Sequence, residues 1–297
     1  MTLVQEYKVL NKQNNLIKAI FNQGQMVWPK SMPNLPDLDY FYVENISNNN
    51  ETLVIRKYSS SAPDINIKYS TNKIIWYTFP TTSTTDITYT LTPGSKLYMK
   101  ANATTWALDV NNSTYIKGVS KIGGNIMSLV YGDDFTGEET TFPEGSEWTF
   151  AGIFRYNYNL IDASSLNLPI MSLVKGSYTY MFSGCTLLTK PPELPATTLA
   201  TYSYYSMFEE CTSLTKAPDL PAATLLKGSY AFMFEDCSSL TSAKILATDI
   251  SADNCTSWIL SGVANNGTLT VKSGMRSAWL QVQSRNSIPS GWTIVQQ

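Results

Sequence analysis

The sequence predicts a mixed, mainly β fold: an N-terminal helix, an antiparallel β-sandwich, then a short repeat solenoid closed by a C-terminal cap. Three observations predict it. A single constant period runs through the second half of the chain. Period-two apolar alternation marks short segments between residues 40 and 135, as in half-buried strands. An apolar stripe at steps of three and four occupies residues 1–28, as on a helix face.

The repeat carries the most information. Cys185, Cys211 and Cys237 recur at equal intervals. Met181, Met207 and Met233 keep that spacing, as do Phe182, Phe208 and Phe234. Leu188, Leu214 and Leu240 follow it, and so do Leu194, Leu220 and Leu246. A worn copy precedes them: Phe154, Leu160 and Leu166 repeat the pattern at a slightly longer interval, with Asn157 where a cysteine is due. Such a departure suits a terminal, capping repeat. The motif M-F-x-x-C-x-x-L places apolar groups at i, i+1, i+4 and i+7, which predicts one face of a short helix. The Pro-x-Leu-Pro stretch that follows cannot continue a helix and is expected to be extended. One such unit cannot bury its own apolar edge, so the copies must stack.

The F-x-x-C-x-x-L pattern followed by Leu-Pro, and above all the run CTSLTKAPDLPAATL at 211–225, resemble the BspA-type leucine-rich repeat. That family occurs in surface proteins of gut and oral bacteria and in proteins of their phages. The tail from residue 253, ending I-P-x-G-W-T at 288–293, is similar to the closing segment of the family. The resemblance implies a strand near 268–271 and a short helix near 275–281 as a cap. Upstream, Ile65-Ile67-Tyr69, Ile87-Tyr89-Leu91 and Leu97-Met99 alternate, and Pro93-Gly94 marks a tight turn. The runs around these residues and IGGNIMSLVYGDDF at 122–135 resemble the β domain that often precedes such repeats.

Residues 1–28 read differently. Tyr7, Leu10, Asn14, Ile17 and Phe21 fall at a- and d-like positions, and Val4, Leu16 and Ile20 widen the stripe. The expectation is a helix that either oligomerises and anchors the protein or docks on its own β domain, since so short a helix is marginal alone. Trp28-Pro29, Pro33 and Pro36 then make a stiff linker. The expected organisation is 1–28 helix, 29–39 linker, 40–135 sandwich, 136–250 leucine-rich-repeat solenoid and 251–297 cap.

Chemistry is sparse. There is no histidine, which removes the commonest general base and zinc ligand. Net charge is −2 without a basic run, so nucleic acid is not an expected partner. Three of the four cysteines occupy one repeat position, a column and not a tetrahedral zinc cluster, and are expected to be small buried hydrophobes. Tyr131-Gly132-Asp133-Asp134 matches the YGDD wording of RNA-dependent polymerases, but no second aspartate motif accompanies it; it reads as an acidic loop that could hold Ca²⁺ together with Glu138. Glu193 and Asp219 share a repeat position but show no cleft for glycan cleavage. Neither a cofactor nor a metal is expected.

The positive signal is aromatic. Tyr178, Tyr204 and Tyr230 keep the period and are expected to pack between coils. Tyr180, Tyr202 and Tyr205 are the candidates for an exposed binding surface, because tyrosine offers an apolar face and a hydroxyl. The start lacks a basic stretch followed by an apolar core, and no apolar run is long enough to span a bilayer. The expectation is therefore a non-enzymatic phage virion appendage, a head fibre or tail fibre, assembled in the host cytoplasm and attaching to a host surface glycan or protein. Its other partners would be itself, as the homotrimer that phage fibres favour, and further virion proteins through residues 1–28. A bacterial cell-surface adhesin of the same repeat family is the alternative, and a glycan-degrading enzyme the third reading.

Overall fold

The structure is a computed structural model. It describes the chain apart from residues 1–3, 11–15, 23–24, 29–36, 58, 81–85, 105, 110–111 and 284–286, and between residues 4 and 28 its description is confined to the backbone. The fold is mainly β, with several sheets, none of them closed. Two compact units divide it, Met1–Asp39 and Tyr40–Gln297.

The first unit corrects the helix expected over 1–28. It consists of three antiparallel strands, β1 (Val4–Leu10), β2 (Leu16–Asn22) and β3 (Gln25–Trp28). Strands β1 and β2 pair Val9 with Ile17, Tyr7 with Ala19 and Gln5 with Phe21. The polar run around Asn14-Asn15 and the Gln23-Gly24 pair interrupt the chain every few residues, and such punctuation favours hairpins over a continuous helix. Of the five residues expected on one helix face, Tyr7 and Leu10 lie on β1, Ile17 and Phe21 on β2, and Asn14 lies outside the described residues. A stripe at steps of three and four has no meaning in strands of period two. The expected linker at 29–39 also lies largely outside the described residues.

The second unit begins with two sheets. One orders β10 (Thr114–Lys117), β5 (Glu51–Lys57) and β8 (Ile87–Leu91), all antiparallel. The other orders β12 (Asp162–Asn167), β11 (Lys121–Asn125), β4 (Tyr42–Glu44), β9 (Lys96–Ala101), β6 (Ile67–Ser70) and β7 (Tyr77–Thr78). Strand β5 alternates as its pattern requires, with Leu53 and Ile55 fully buried between exposed or half-buried neighbours. Gly94 takes φ 75° in the turn between β8 and β9, which only glycine adopts without penalty. That turn carries the chain from one sheet to the other. A short helix, α1 (Ser128–Tyr131), follows β11.

The repeats follow without a break. Strand β12 belongs to the worn first repeat, yet it pairs parallel with β11 of the preceding sheet. The Trp106 and Ile116 amides also donate to the Thr149 and Ile153 carbonyls of that repeat. Asn157 explains the missing cysteine: its side chain accepts from the Gly118 amide at 3.0 Å and donates to the Val119 carbonyl at 3.3 Å. An amide side chain there satisfies backbone groups that a thiol would leave unpaired.

The segment expected to be a short helix in each repeat is not one. Every fourth residue there has positive φ: Trp148, Gly152 and Tyr156, then Gly176, Tyr180 and Gly184, then Tyr202, Ser206 and Glu210, with the same positions in the next two coils. A left-handed residue every four positions forbids an α-helix. The hydrogen bonds show what replaces it. Odd-numbered amides donate three residues back, as Met181 does to Tyr178, while even-numbered amides donate to the next coil. In one junction Tyr178, Tyr180 and Phe182 donate to Ser203, Tyr205 and Met207 at 2.9 Å each. Successive coils are thus bonded to one another along a ribbon of tight turns.

Its inner side is apolar and aligned. Phe41, Phe154, Phe182, Phe208 and Phe234 stack in sequence with centroids 5.4–5.7 Å apart. Each such pair contributes about 0.5–1.5 kcal/mol beyond the area it buries. The cysteine column lies beside it, and each thiol donates to a phenylalanine carbonyl of the preceding coil: Cys185 to Phe154, Cys211 to Phe182 and Cys237 to Phe208, at 3.0–3.2 Å. The far end is a parallel sheet of β13 (Ser242–Ile245), β14 (Asn266–Val271) and β15 (Gly291–Gln296), with α2 (Arg276–Val282) before the last strand.

Candidate binding site

The turn ribbon sets which side chains face outward. Inward positions hold Tyr178, Tyr204 and Tyr230, all at most 1% exposed, with rings 5.7 and 6.0 Å apart. These are the periodic tyrosines expected between coils. Burial pushes their phenols up, out of any proton chemistry near neutral pH.

Tyr180, Tyr202 and Tyr205, the sequence candidates, are half-buried and come together. Tyr205 meets Tyr180 at 5.5 Å and Tyr202 at 5.7 Å, both edge-on. They share an open groove of about 540 Å³ with Trp148, Phe232 and Trp258. The rings run on from coil to coil. Tyr205 touches Phe232 at 5.3 Å, and Phe232 lies parallel to Trp258 at 6.5 Å. Trp258 is 51% exposed, an unusual position for so large an apolar ring. At the opposite end the Arg155 guanidinium lies 4.2 Å from the Tyr180 ring and 4.7 Å from that of Tyr156.

Glycine makes room for this surface. Gly228 sits beneath Tyr202 and Gly176 beneath Trp148; an added Cβ would come within 2.4 and 2.1 Å of those rings. Both glycines also have positive φ, at 62° and 66°.

Two carboxylates act electrostatically on Tyr205. Glu209 and Glu235 stand one repeat apart, both half-buried. Burial pushes the Glu209 carboxyl up, and a 3.2 Å hydrogen bond from Ser183 and the charge of Arg155 offset this in part. Glu235 is pushed up to about 7, by burial and by the charges of Glu209, Asp236 and Glu210. Burial and the neighbouring Tyr180 raise Tyr205 to about 12, with Glu209 and Glu235 adding to the effect.

Phe232, Trp258 and Arg155 were not among the sequence candidates. A signal for the first two exists: Tyr180, Ser206, Phe232 and Trp258 occupy one column of the repeat. Ser206 interrupts the column, and the Tyr205 ring bridges the interruption. Tyr7, Leu10, Ile17 and Phe21 belong to the other unit.

Of the remaining candidates, Asp134, Glu138 and Glu193 are exposed, and Asp133 and Asp219 are held in ion pairs. Lys68 and Lys100 both pair with Asp133. Burial acts upward on the Asp133 carboxyl, and the hydrogen bonds and charges of the two lysines together outweigh it and hold it below the usual range. Lys100 also lies over the Trp76 ring at 4.2 Å. Asp219 pairs with Lys244 at 2.8 Å. Among the described residues no three of His, Cys, Asp or Glu converge as a metal site would require, and no helix is long and apolar enough to cross a membrane. Comparison of the chain with protein-family models, with curated proteins and with solved structures finds no match.

Proposed function

We propose that this chain is a surface-attachment protein of a phage virion, a head or tail fibre component, in which stacked leucine-rich-repeat coils of the BspA type present an aromatic ledge to the host surface. The two sheets before the repeats serve as a β-sandwich that caps the first coil, and residues 1–39 serve as the mounting and oligomerising unit. The activity is binding without catalysis. The observation that carries the reading is the run of outward rings from Tyr180 through Tyr205 and Phe232 to Trp258, held on a backbone whose coils are hydrogen-bonded to one another. Rigid aromatic faces bind with little loss of side-chain freedom, which is how a recognition surface gains affinity. The division of the chain at Asp39 supports a mount distinct from the binding body.

Fluorescently labelled protein incubated with host bacteria tests it. The wild type is expected to label the cells, and a Tyr205→Ala, Trp258→Ala variant to lose at least tenfold in labelling. Equal labelling by both proteins, or none by either, refutes attachment through this ledge. Light scattering on the full chain tests the oligomer: a mass of three chains is expected, and a monomer refutes it.

A further inference from the structure

We infer that the groove takes an uncharged glycan: a straight, unbranched chain of β-linked neutral pyranoses laid along the coils, one sugar over each of Tyr180, Tyr205, Phe232 and Trp258. This rests on the attachment reading above and narrows its ligand.

Four observations converge. First, the groove crosses the coils without charge. Its described lining runs from Trp148 to Trp258 and includes no Asp, Glu, Lys or Arg. A charged ligand would lose water there and meet no counter-charge on the walls, which is costly. Aromatic rings with a few polar groups suit a molecule that has apolar faces and uncharged hydroxyls, as a neutral pyranose does. Second, the rings advance one per coil. Tyr180, Tyr205, Phe232 and Trp258 belong to consecutive coils, with successive centroids 5.5, 5.3 and 6.5 Å apart. Coils bonded backbone to backbone rise by about 4.7–4.9 Å, as neighbouring strands do. A β-linked glucan is an extended ribbon whose advance per sugar is close to that rise, so successive sugars stay in step with successive coils. An α-linked glucan winds into a helix and loses step. Third, three of the rings occupy a backbone that disfavours them. Tyr180, Phe232 and Trp258 have φ of 55°, 58° and 56°, and the same position in the first coil is Gly152. Bulky residues rarely take that conformation, and strain of this kind gathers at binding sites. Fourth, the far end carries a fixed polar group. The Ser257 hydroxyl donates to Asn254 Oδ1 at 3.2 Å, which leaves the Asn254 amide nitrogen as a donor for a sugar hydroxyl in the groove.

Three hexamers separate shape from charge: β-linked cellohexaose, α-linked maltohexaose, and a hexamer of β-linked glucuronate. Titration calorimetry on the full chain at neutral pH is expected to show cellohexaose binding at least tenfold tighter than either of the others. Across the cello-oligosaccharides, affinity is expected to rise from the disaccharide to the tetramer, which matches the run of rings, and to gain less than about twofold from tetramer to hexamer. Trp258→Ala is expected to weaken cellohexaose about tenfold, the scale of one lost ring contact. Trp258→Tyr, which keeps a ring, is expected to retain most of the affinity. Trp258 is 51% exposed, so both substitutions spare the core, and unchanged melting of the variants verifies this. The inference is overturned if cellohexaose fails to bind or binds no tighter than the other two hexamers. Affinity that is flat with chain length, or unchanged in Trp258→Ala, overturns it too. Host-cell labelling on the same preparation distinguishes the two failures. Labelling that persists while cellohexaose does not bind overturns the glycan class alone, and labelling that is absent overturns the attachment reading.

Discussion

Replacing Phe208 by leucine tests the stack more sharply than any deletion. Phe208 is fully buried and lies between two parallel neighbours, Phe182 at 5.4 Å with planes 10° apart and Phe234 at 5.7 Å with planes 7° apart. Leucine keeps most of the apolar area but removes both ring pairs. At about 0.5–1.5 kcal/mol per pair, the loss from stacking is about 1–3 kcal/mol. Phe234 is equally buried and shares only the pair with Phe208 in this column. Its replacement by leucine therefore costs about 0.5–1.5 kcal/mol from stacking. The void left by the smaller side chain is similar at the two sites and cancels in the comparison. Phe208→Leu is thus expected to destabilise the protein by about 1 kcal/mol more than Phe234→Leu. The double variant removes the shared pair only once, so its cost falls short of the sum by a similar amount. Urea unfolding followed by circular dichroism measures all three midpoints. Single costs that agree within about 0.3 kcal/mol, together with additivity in the double variant, would refute the idea that coils are held by ring-to-ring contact.

The hydroxyls of Tyr178 and Tyr230 are buried and have no hydrogen-bond partner among the described residues, so Tyr178→Phe and Tyr230→Phe are expected to be neutral or to raise the melting temperature; a loss above about 1 kcal/mol in chemical unfolding contradicts this. Thr179→Val removes a 2.6 Å hydrogen bond to the Tyr202 carbonyl and is expected to cost about 1 kcal/mol by the same measurement. Gly184→Ala puts a Cβ 2.3 Å from the Tyr156 ring at φ 73°, and is expected to cost at least about 2 kcal/mol, read as a lowered urea midpoint. Burial pushes the thiols of Cys185, Cys211 and Cys237 up, so none is expected to react with a thiol-specific reagent faster than the protein unfolds. The folded state holds the Glu235 proton more tightly than the unfolded chain, so stability falls as pH rises from about 4.5 through about 7. Glu235→Gln is expected to flatten that part of the melting-temperature profile, and an unchanged profile refutes it.

The repeat was legible because identical columns demand identical surroundings. Phe182, Phe208 and Phe234 recur at one spacing, and the structure aligns them along one axis. The end strand and helix near residues 268–281 were legible as well, and appear as β14 and α2. The local conformation was not. Apolar residues at i, i+1, i+4 and i+7 suit a helix, and a ribbon with a left-handed residue every fourth position buries the same set. The glycines at 152, 176, 184, 228 and 262 mark those positions, but Tyr180, Tyr202, Ser206, Glu210 and Phe232 adopt the same backbone and conceal the pattern. Their conformation is held by inter-coil hydrogen bonds that no local propensity encodes. At the ledge, the three tyrosines stand out in the sequence because they break or flank the buried tyrosine column. Ser206 hides the column of Phe232 and Trp258, and a lone arginine such as Arg155 becomes informative only with a ring beneath it. Residues 4–28 illustrate the opposite failure. Their apolar spacing fits a helix, and short-range turn chemistry outweighed it.

Because each coil is hydrogen-bonded to its neighbours through the same atoms, the molecule has a natural unit of length. Inserting or excising one whole copy, such as the span from Cys185 up to Cys211, adds or removes one tread of the staircase without disturbing the ends, which meet a coil of the same shape either way. The extent of the aromatic surface is then tied to chain length in fixed increments.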